Sequence, residues 1–178
     1  MANRDMPVNG KGSKISLLKN GDLSLTDAAG IHIWNSKTFS GISQPSQLVL
    51  SDTGNLILST LENVSRLLWQ SFDSPADTLL PEQPFANSST LLVSLRSQEN
   101  CSSSFYKFYF DDDNVLRLLY SGPLISSVYW SLLWKGINLW DLGRTTYNNS
   151  RIAVFDTSGF FKSSDHYTFK PSDFGSGP

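Results

Sequence analysis

Cysteine, histidine and net charge are all scarce in this chain of 178 residues, which has one cysteine, two histidines and a net charge of −2. A single cysteine cannot form an internal disulfide, and one thiol with two imidazoles makes a poor zinc-binding set. The small net charge gives no overall attraction to nucleic acid or to an anionic membrane. No uncharged apolar run is long enough to predict a membrane-spanning helix. We therefore expect no metal, no cofactor and no nucleic-acid partner.

Motifs for catalysis are also lacking. His32 lies in a strand-like segment and His166 in a polar loop, and no Gly-x-Ser-x-Gly turn is present. The tripeptide 173–175, Asp-Phe-Gly, matches a kinase magnesium motif, but the catalytic loop, glycine-rich loop and strand lysine of a kinase are missing. Three aspartates at 111–113 could begin a twelve-residue calcium loop. Such a loop needs an acidic residue at its last position, where Gly122 stands. These patterns predict turns, and the chain is predicted not to be an enzyme.

Strand signals run through the whole chain, whereas helical periodicity is hard to find. Alternating apolar runs are bounded by Gly, Asn, Asp and Ser, which predicts an all-β fold. Four segments align without gaps around turns at Gly21, Gly54, Asn114 and Gly159. Asn and Gly best tolerate the left-handed conformation, and Asn20-Gly21 predicts a type I′ hairpin turn. A simple meander is the alternative interpretation, since the intervals of 33, 60 and 45 residues are not a strict repeat period.

Tryptophan recurs at the end of the strand that follows three of these turns. Trp34, Trp69 and Trp130 lie 13, 15 and 16 residues after Gly21, Gly54 and Asn114. The simplest interpretation is a shared core residue, buried with its N–H hydrogen-bonded, and stacking against a sugar is the alternative. A polar, turn-rich segment near the middle predicts two β-modules, residues 1–84 and 92–178, joined by a linker at 85–91.

A long, specific stretch at 67–81, Leu-Leu-Trp-Gln-Ser-Phe-Asp-Ser-Pro-Ala-Asp-Thr-Leu-Leu-Pro, carries a family resemblance. It resembles the end of the bulb-type lectin domain of plant S-domain, or G-type lectin, receptor-like kinases. Segments of the second half are similar to the maize receptor protein kinase subgroup: 105–111, 116–123, 127–130 and 147–153. The resemblance implies a β-prism II fold with tryptophans in the middle. It also implies two tandem modules, the first lacking its N-terminal part and the second its C-terminal part.

Mannose-binding members of this family carry Gln-x-Asp-x-Asn-x-Val-x-Tyr on a strand, turn and strand. In the second repeat these stations are occupied by Ser51, Thr53, Asn55, Ile57 and Ser59. Only Asn55 is retained, with Ile57 a conservative change, and the first repeat retains none. Losing three of four polar partners at about 1–3 kcal/mol each predicts no mannose affinity at these sites. Asn55 also has a plainer interpretation, as a residue common beside a glycine turn.

Four Asn-x-Ser/Thr sequences are candidate glycosylation sites: Asn63, Asn87, Asn100 and Asn148. The resemblance implies a non-catalytic module that recognises a glycan or a protein, from the extracellular side of a receptor-like serine/threonine kinase. We expect no signal peptide in the chain itself, and attachment to the membrane only through the rest of a parent protein. A homodimer or a heterodimer with related receptors is a further expectation. The alternative is a truncated gene product with no independent function, since unpaired strand edges favour aggregation.

Overall fold

The computed structural model describes residues 3–8, 10–41, 45–62, 66–86, 90–131, 152–164 and 167–170. Within these ranges the chain forms β-strands and one short 3-10 helix, Ser71–Asp73, so the all-β prediction is confirmed. The chain divides into two compact units, Met1–Ser74 and Pro75–Pro178.

The first unit contains two antiparallel three-stranded sheets with the orders β1-β2-β3 and β4-β5-β6. Each sheet is a meander of three consecutive strands. The strands are β1 (Lys14–Leu17), β2 (Leu23–Thr26), β3 (His32–Asn35), β4 (Ser46–Leu50), β5 (Leu56–Thr60) and β6 (Leu67–Gln70).

The second unit contains two antiparallel four-stranded sheets. Its strands are β7 (Pro84–Ala86), β8 (Leu92–Leu95), β9 (Ser103–Phe110), β10 (Leu116–Ser121), β11 (Ser126–Ser131), β12 (Ile152–Phe155), β13 (Phe161–Ser163) and β14 (Thr168–Phe169). Four of them form a meander in the order β11-β10-β9-β8. The other sheet, β14-β13-β12-β7, joins three late strands to the early strand β7.

The start of the predicted linker belongs to a strand. Phe85 and Ala86 lie in β7, where Phe85 pairs with Ala153 of β12. Phe85 is fully buried and stacks on Phe108, with ring centroids 5.3 Å apart. A polar composition around position 84 suggested a linker, but one buried phenylalanine ties this segment into the core of the second unit. Residues 87–89 lie outside the described residues, and the module boundaries stay a prediction.

All four predicted turns close hairpins of one geometry. The residues with positive φ are Gly21 (89°), Gly54 (86°), Asn114 (60°) and Gly159 (85°). In each loop the first residue donates its N–H to the carbonyl four residues later, at 2.8–2.9 Å. The positive-φ residue donates its N–H back to the first residue at 2.7–3.0 Å. This is a type I turn followed by a left-handed residue in a G1 bulge.

The type I′ turn predicted at Asn20-Gly21 is therefore wrong. A type I′ turn needs positive φ at both central residues, but Asn20 is not among the residues with positive φ. Its side chain instead accepts a hydrogen bond from the Asp22 N–H at 3.1 Å, which stabilises an ordinary turn.

A second irregularity recurs in three repeats and was not predicted. The strand register shifts opposite Trp34, Trp69 and Trp130, which pair with Leu25, Leu58 and Leu118. The residue just before each tryptophan, Ile33, Leu68 or Tyr129, has no partner in the register. Each is a β-bulge, which bends the strand and redirects the side chains beside it.

Strain at the left-handed position can be tested at Gly54. The Gly54→Ala variant is expected to lower the free energy of unfolding by about 1–2 kcal/mol, because a Cβ disfavours the left-handed region. Urea denaturation measures this loss. Asp52→Ala, an exposed change in the same loop, is the control and should stay within about 0.5 kcal/mol of the wild type. Equal stability of Gly54→Ala and wild type would contradict the turn assignment.

Candidate functional site

The five stations of the mannose motif lie along one turn and strand β5. The Ser51 and Thr53 hydroxyls are 2.8 Å apart and hydrogen-bond each other. The Ser51 hydroxyl also accepts the Asn55 N–H at 3.1 Å. Ser59 is buried, and its hydroxyl accepts the Gln47 amide at 3.3 Å. Four of the five residues are polar, but three of them hydrogen-bond within their own hairpin.

Asn55, the one retained motif residue, is buried and held from within the protein. Its Oδ1 accepts hydrogen bonds from the Ser71 hydroxyl and the Phe72 N–H, both at 3.2 Å. Its Nδ2 donates to Oε1 of Gln70 at 2.9 Å. The side chain thus connects the turn to the segment that follows β6. This geometry agrees with a structural role for Asn55, the plainer of the two interpretations.

Asp22 occupies the equivalent position in the first repeat and makes the equivalent connection. Its Oδ1 accepts hydrogen bonds from the N–H groups of Thr38 and Phe39 at 2.7 and 2.9 Å, and from the Thr38 hydroxyl at 2.9 Å. In both repeats the next N–H, of Leu23 or Leu56, donates to a serine hydroxyl near the end of the meander. We call this arrangement the turn clamp. Sequence reasoning missed it, although the polar residues directly after Gly21 and Gly54 were a local signal.

The environment of Asp22 favours its charged form. Burial by itself raises the pKa of the Asp22 carboxyl. Hydrogen bonds from the Thr38 hydroxyl, from the N–H groups of Phe39 and Thr38, and from the Asn20 amide outweigh burial, and the pKa lies below its ordinary value. In the second repeat the neutral amide of Asn55 accepts the equivalent hydrogen bonds.

The two turns of the second unit hold their carboxylates by ion pairing instead. Arg117 contacts both Asp111 and Asp113. Lys162 pairs with Asp156, and this hydrogen bond, aided by Ser158 and Phe160, places the pKa of Asp156 below its ordinary range. Among the described residues no cluster of His, Cys, Asp or Glu could hold a metal ion. The aspartates at 111 and 113 are thus paired with an arginine within the hairpin.

Two half-buried indole rings line an open cleft of about 520 Å³ in the first unit. Trp34 and Trp69 meet edge to face, with ring centroids 5.5 Å apart. The polar residues around the rings include His32, Asn35 and Lys37, and Lys37 adopts a positive φ of 53°. The tryptophans were predicted to be buried core residues, but Trp34 and Trp69 are only half-buried because this side of the two sheets is open.

The second unit contains a cavity of about 520 Å³ that is far more apolar. It lies between the two sheets and is lined by Leu79, Leu92, Phe108, Leu118, Trp130, Phe155, Phe161, Tyr167 and Phe169. Trp130 is half-buried here and contacts Tyr167, with ring centroids 6.2 Å apart. The residues that line this cavity offer few polar groups that could orient a ligand.

Other residues singled out by the sequence are scattered. Asn100 is exposed, and its Oδ1 accepts the Ser102 N–H at 3.1 Å. The adjacent Cys101 is exposed and forms no disulfide. The candidate glycosylation sites Asn63, Asn87 and Asn148 lie outside the described residues. His166 and the Asp-Phe-Gly tripeptide at 173–175 also lie outside them.

Comparison with known proteins identifies the family. Residues 1–99 match the D-mannose binding lectin family, so the chain is a bulb-type lectin-like protein. It belongs to the bulb-type lectin family, whose fold is the β-prism II. The repeated hairpin sheets and the tryptophan stations agree with that fold.

Relatives at the sequence level are plant receptor kinases. The chain is 36% identical over 166 residues to the receptor protein kinase ZmPK1 of Zea mays, covering 92% of this chain and 19% of that protein. It is 36% identical over 132 residues to the G-type lectin S-receptor-like serine/threonine-protein kinase SD3-1 of Arabidopsis thaliana, covering 74% of this chain and 16% of that one. The chain thus spans about a fifth or less of these relatives, and the kinase part is absent from it.

Among solved structures, a two-domain fetuin-binding lectin of Scilla campanulata is similar at 15% identity. The match covers 90% of this chain and 75% of that one, with a TM-score of 0.30. Within the described part of the chain, no helix has the length and apolar character to cross a membrane.

Asp22 is the most informative residue for testing the turn clamp. The Asp22→Ala variant leaves the N–H groups of Thr38 and Phe39 without their acceptor, and should lose about 2–3 kcal/mol of unfolding free energy. Asp22→Asn copies the second repeat, keeps an acceptor oxygen, and should lose clearly less. Urea denaturation at neutral pH measures both, and equal losses would contradict the clamp.

The same residue predicts a pH dependence. Because the pKa of Asp22 is lower in the folded than in the unfolded protein, its stabilising contribution is complete above about pH 4, its unfolded value. The contribution is lost as the pH falls through the lower, folded pKa. Thermal melts between pH 2 and 7 should show a steeper acid loss in the wild type than in Asp22→Asn. Parallel profiles would exclude the contribution of Asp22.

Proposed function

We propose that this chain is a non-catalytic recognition module from the extracellular region of a plant receptor-like serine/threonine kinase. Its ligand is a glycan, bound elsewhere than at the usual mannose stations. Membership of the bulb-type lectin family and the receptor kinases among its relatives support this proposal. The relatives' kinase activity would reside in parts of a parent protein that these 178 residues do not contain.

The observation that carries the proposal is that the side-chain polar atoms of Asn55 already have hydrogen-bond partners within the protein. A sugar-binding amide must present its polar atoms to solvent before the ligand arrives, but those of Asn55 are engaged with Gln70, Ser71 and Phe72. Breaking these hydrogen bonds to bind a hydroxyl would exchange one set for another with no net gain. The degenerate stations at Ser51, Thr53 and Ser59 supply short hydroxyls in place of longer polar side chains. The hairpin thus keeps the lectin scaffold without its usual ligand contacts.

An extracellular location has further consequences. Asn100 is exposed in a polar turn and would be open to glycosylation in the secretory pathway, together with Asn63, Asn87 and Asn148. Cys101 is the one cysteine of the sequence and cannot form an internal disulfide in an oxidising compartment. The described sheets depend on no disulfide. Pairing with a second copy or with a related receptor is part of this proposal.

Mannose binding provides the direct test. Calorimetric titration of the chain with methyl mannoside should give no heat of binding at millimolar sugar. The comparison is a variant that restores the polar residues of the motif in the second repeat: Ser51→Gln, Thr53→Asp and Ser59→Tyr. Its titration shows whether mannose affinity is gained. Millimolar or tighter mannose binding by the wild type, lost in Asn55→Ala with the fold intact, would contradict the assignment of Asn55.

A second candidate, a product without an independent recognition function, is favoured by apolar side chains on two edge strands. In β1, Ile15 and Leu17 are 57% and 40% exposed, and in β4, Val49 and Leu50 are 46% and 68% exposed. Exposed edges of this kind promote association between chains.

Size-exclusion chromatography with thermal melting separates the two candidates. We expect a defined monomer or dimer that melts cooperatively, as a functional module should. Leu50→Lys, which charges one edge, should leave that profile unchanged. Concentration-dependent large species in the wild type, abolished by Leu50→Lys, would favour the second candidate.

A further inference from the structure

Four aromatic rings on strands β9, β10 and β11 of the second unit contact one another in a row. Tyr106 lies 5.3 Å from Tyr120 and 5.9 Å from Tyr129, measured between ring centroids. Phe105 meets Tyr120 edge to face at 5.9 Å, and the Arg96 guanidinium lies 6.0 Å from the Phe105 centroid. We call Phe105, Tyr106, Tyr120 and Tyr129 the tyrosine platform.

The strand register explains why these rings meet. Tyr106 and Tyr120 are directly opposed in the β9–β10 pair, where same-face side chains lie closest. Tyr129 occupies the bulge before Trp130, so its side chain is redirected from the regular alternation of β11. The platform therefore rests on paired backbone and not on a loop, which keeps its geometry rigid.

The fold does not require aromatic residues at these positions. In the second repeat the pair equivalent to Tyr106 and Tyr120 is Ser46 and Thr60, and these also oppose each other directly. The equivalent bulge residue is Leu68. The second repeat thus forms the same backbone with small or aliphatic residues at these positions. The three tyrosines are therefore not needed for folding and indicate another role.

Two of the three platform tyrosines are exposed, and the third, Tyr120, is half-buried. Tyr106 is 48% and Tyr129 is 46% exposed. Within the described part of the chain, the hydroxyls of Tyr106, Tyr120 and Tyr129 make no hydrogen bond to protein. Burial, and to a lesser extent Tyr106, raises the pKa of Tyr129, so its phenol stays neutral at physiological pH. The platform therefore offers apolar ring faces together with neutral hydroxyls.

We propose that the tyrosine platform is the carbohydrate-binding surface of this chain and takes a neutral oligosaccharide. The proposal rests on the proposed lectin function and specifies its site. A pyranose presents an apolar C–H face that packs on an aromatic ring, and hydroxyls at its edge that pair with phenol groups. The three tyrosines carry no charge, and the Arg96 guanidinium lies against Phe105 at the edge of the platform, so the tyrosine rings themselves select no acidic sugar.

A sugar fits this surface better than a protein partner. A protein covering the platform would bury three phenol hydroxyls at once, and each needs its own partner to avoid a desolvation cost. An oligosaccharide carries donors and acceptors around every ring and meets that need without a specific fold. Tyrosine and arginine are also common at protein interfaces, so a protein ligand is an outcome that the test must separate.

The decisive variant replaces the platform with the residues of the second repeat. Tyr106→Ser, Tyr120→Thr and Tyr129→Leu are combined in one chain, since Ser46, Thr60 and Leu68 occupy the same backbone positions without disturbing it. Tyr109→Phe is the control, because Tyr109 pairs with Arg117 and lies on the other face of β9 from Tyr106. A further variant, Trp34→Leu, tests the cleft of the first unit, whose two indole rings are the competing aromatic site. Thermal melts establish that each variant is folded.

The probe is an array of neutral oligosaccharides of mannose, glucose, galactose and xylose, followed by calorimetry on any sugar that is bound. The wild type, Tyr109→Phe and Trp34→Leu should bind equally, and the combined variant should lose at least about tenfold in affinity. Retained affinity in the combined variant, or loss in Trp34→Leu alone, would overturn the platform and leave the lectin function standing. No glycan bound by the wild type, or only a protein ligand lost in the combined variant, would contradict the lectin function itself.

Gly122 provides a second variant in case the combined one fails to fold. A Cβ at Gly122 would come within 2.6 Å of the Tyr120 hydroxyl and 2.7 Å of its ring. Its backbone conformation is ordinary, so Gly122→Ala should displace the flexible end of the Tyr120 side chain while the strands remain paired. A severalfold loss of glycan affinity with an unchanged melting temperature supports the platform. Unchanged affinity in both Gly122→Ala and Tyr129→Leu would overturn it.

Discussion

One backbone constraint recurs in each of the four sheets: a single left-handed residue at the same position of a hairpin turn. With φ between 60° and 89°, this residue closes the type I turn and starts the second strand with a fixed register. Because side chains alternate along a strand, that register decides which residues face the core and which face solvent. The buried pairs, the tryptophan stations and the tyrosine platform all follow from it.

The residue after the left-handed position then determines how each hairpin is fixed to its surroundings. Asp22 and Asn55 bind the segment that ends their own meander, one through a carboxylate and the other through an amide. In the second unit this position holds the apolar Val115 or Phe160, and the turn aspartates pair with Arg117 or Lys162. The family motif for mannose overlaps these same positions, so a repeat that uses them for the clamp has fewer groups left for a sugar.

Much of this architecture could be predicted from the sequence because it depends on local signals. Glycine or asparagine at four aligned positions gave the hairpins, and alternating apolar residues gave the strands. The clamp could not be predicted, because it depends on contacts 13 to 17 residues away, such as Leu23 to Ser36 or Asn55 to Phe72. The bulges depend on how each tryptophan pairs with a residue of the neighbouring strand, 9 to 12 positions away. The turn type is local, and it was mispredicted because Asn-Gly favours type I′. Phe85 shows the same limit, since only its burial between two sheets places it in a strand. The tyrosine platform was missed because its members are spread over 25 positions and meet only through the strand register.

The shared hairpin geometry makes the four turns interchangeable parts. Each is a five-residue joint that begins and ends on the same pair of backbone hydrogen bonds, so one could replace another without moving either strand. The described part of the chain contains five versions of this turn, the four aligned ones and Asp27–Ile31, with glycine in four and asparagine in one. A lineage that duplicates such a unit can alter the residues around the joint one repeat at a time, while the remaining copies preserve the scaffold.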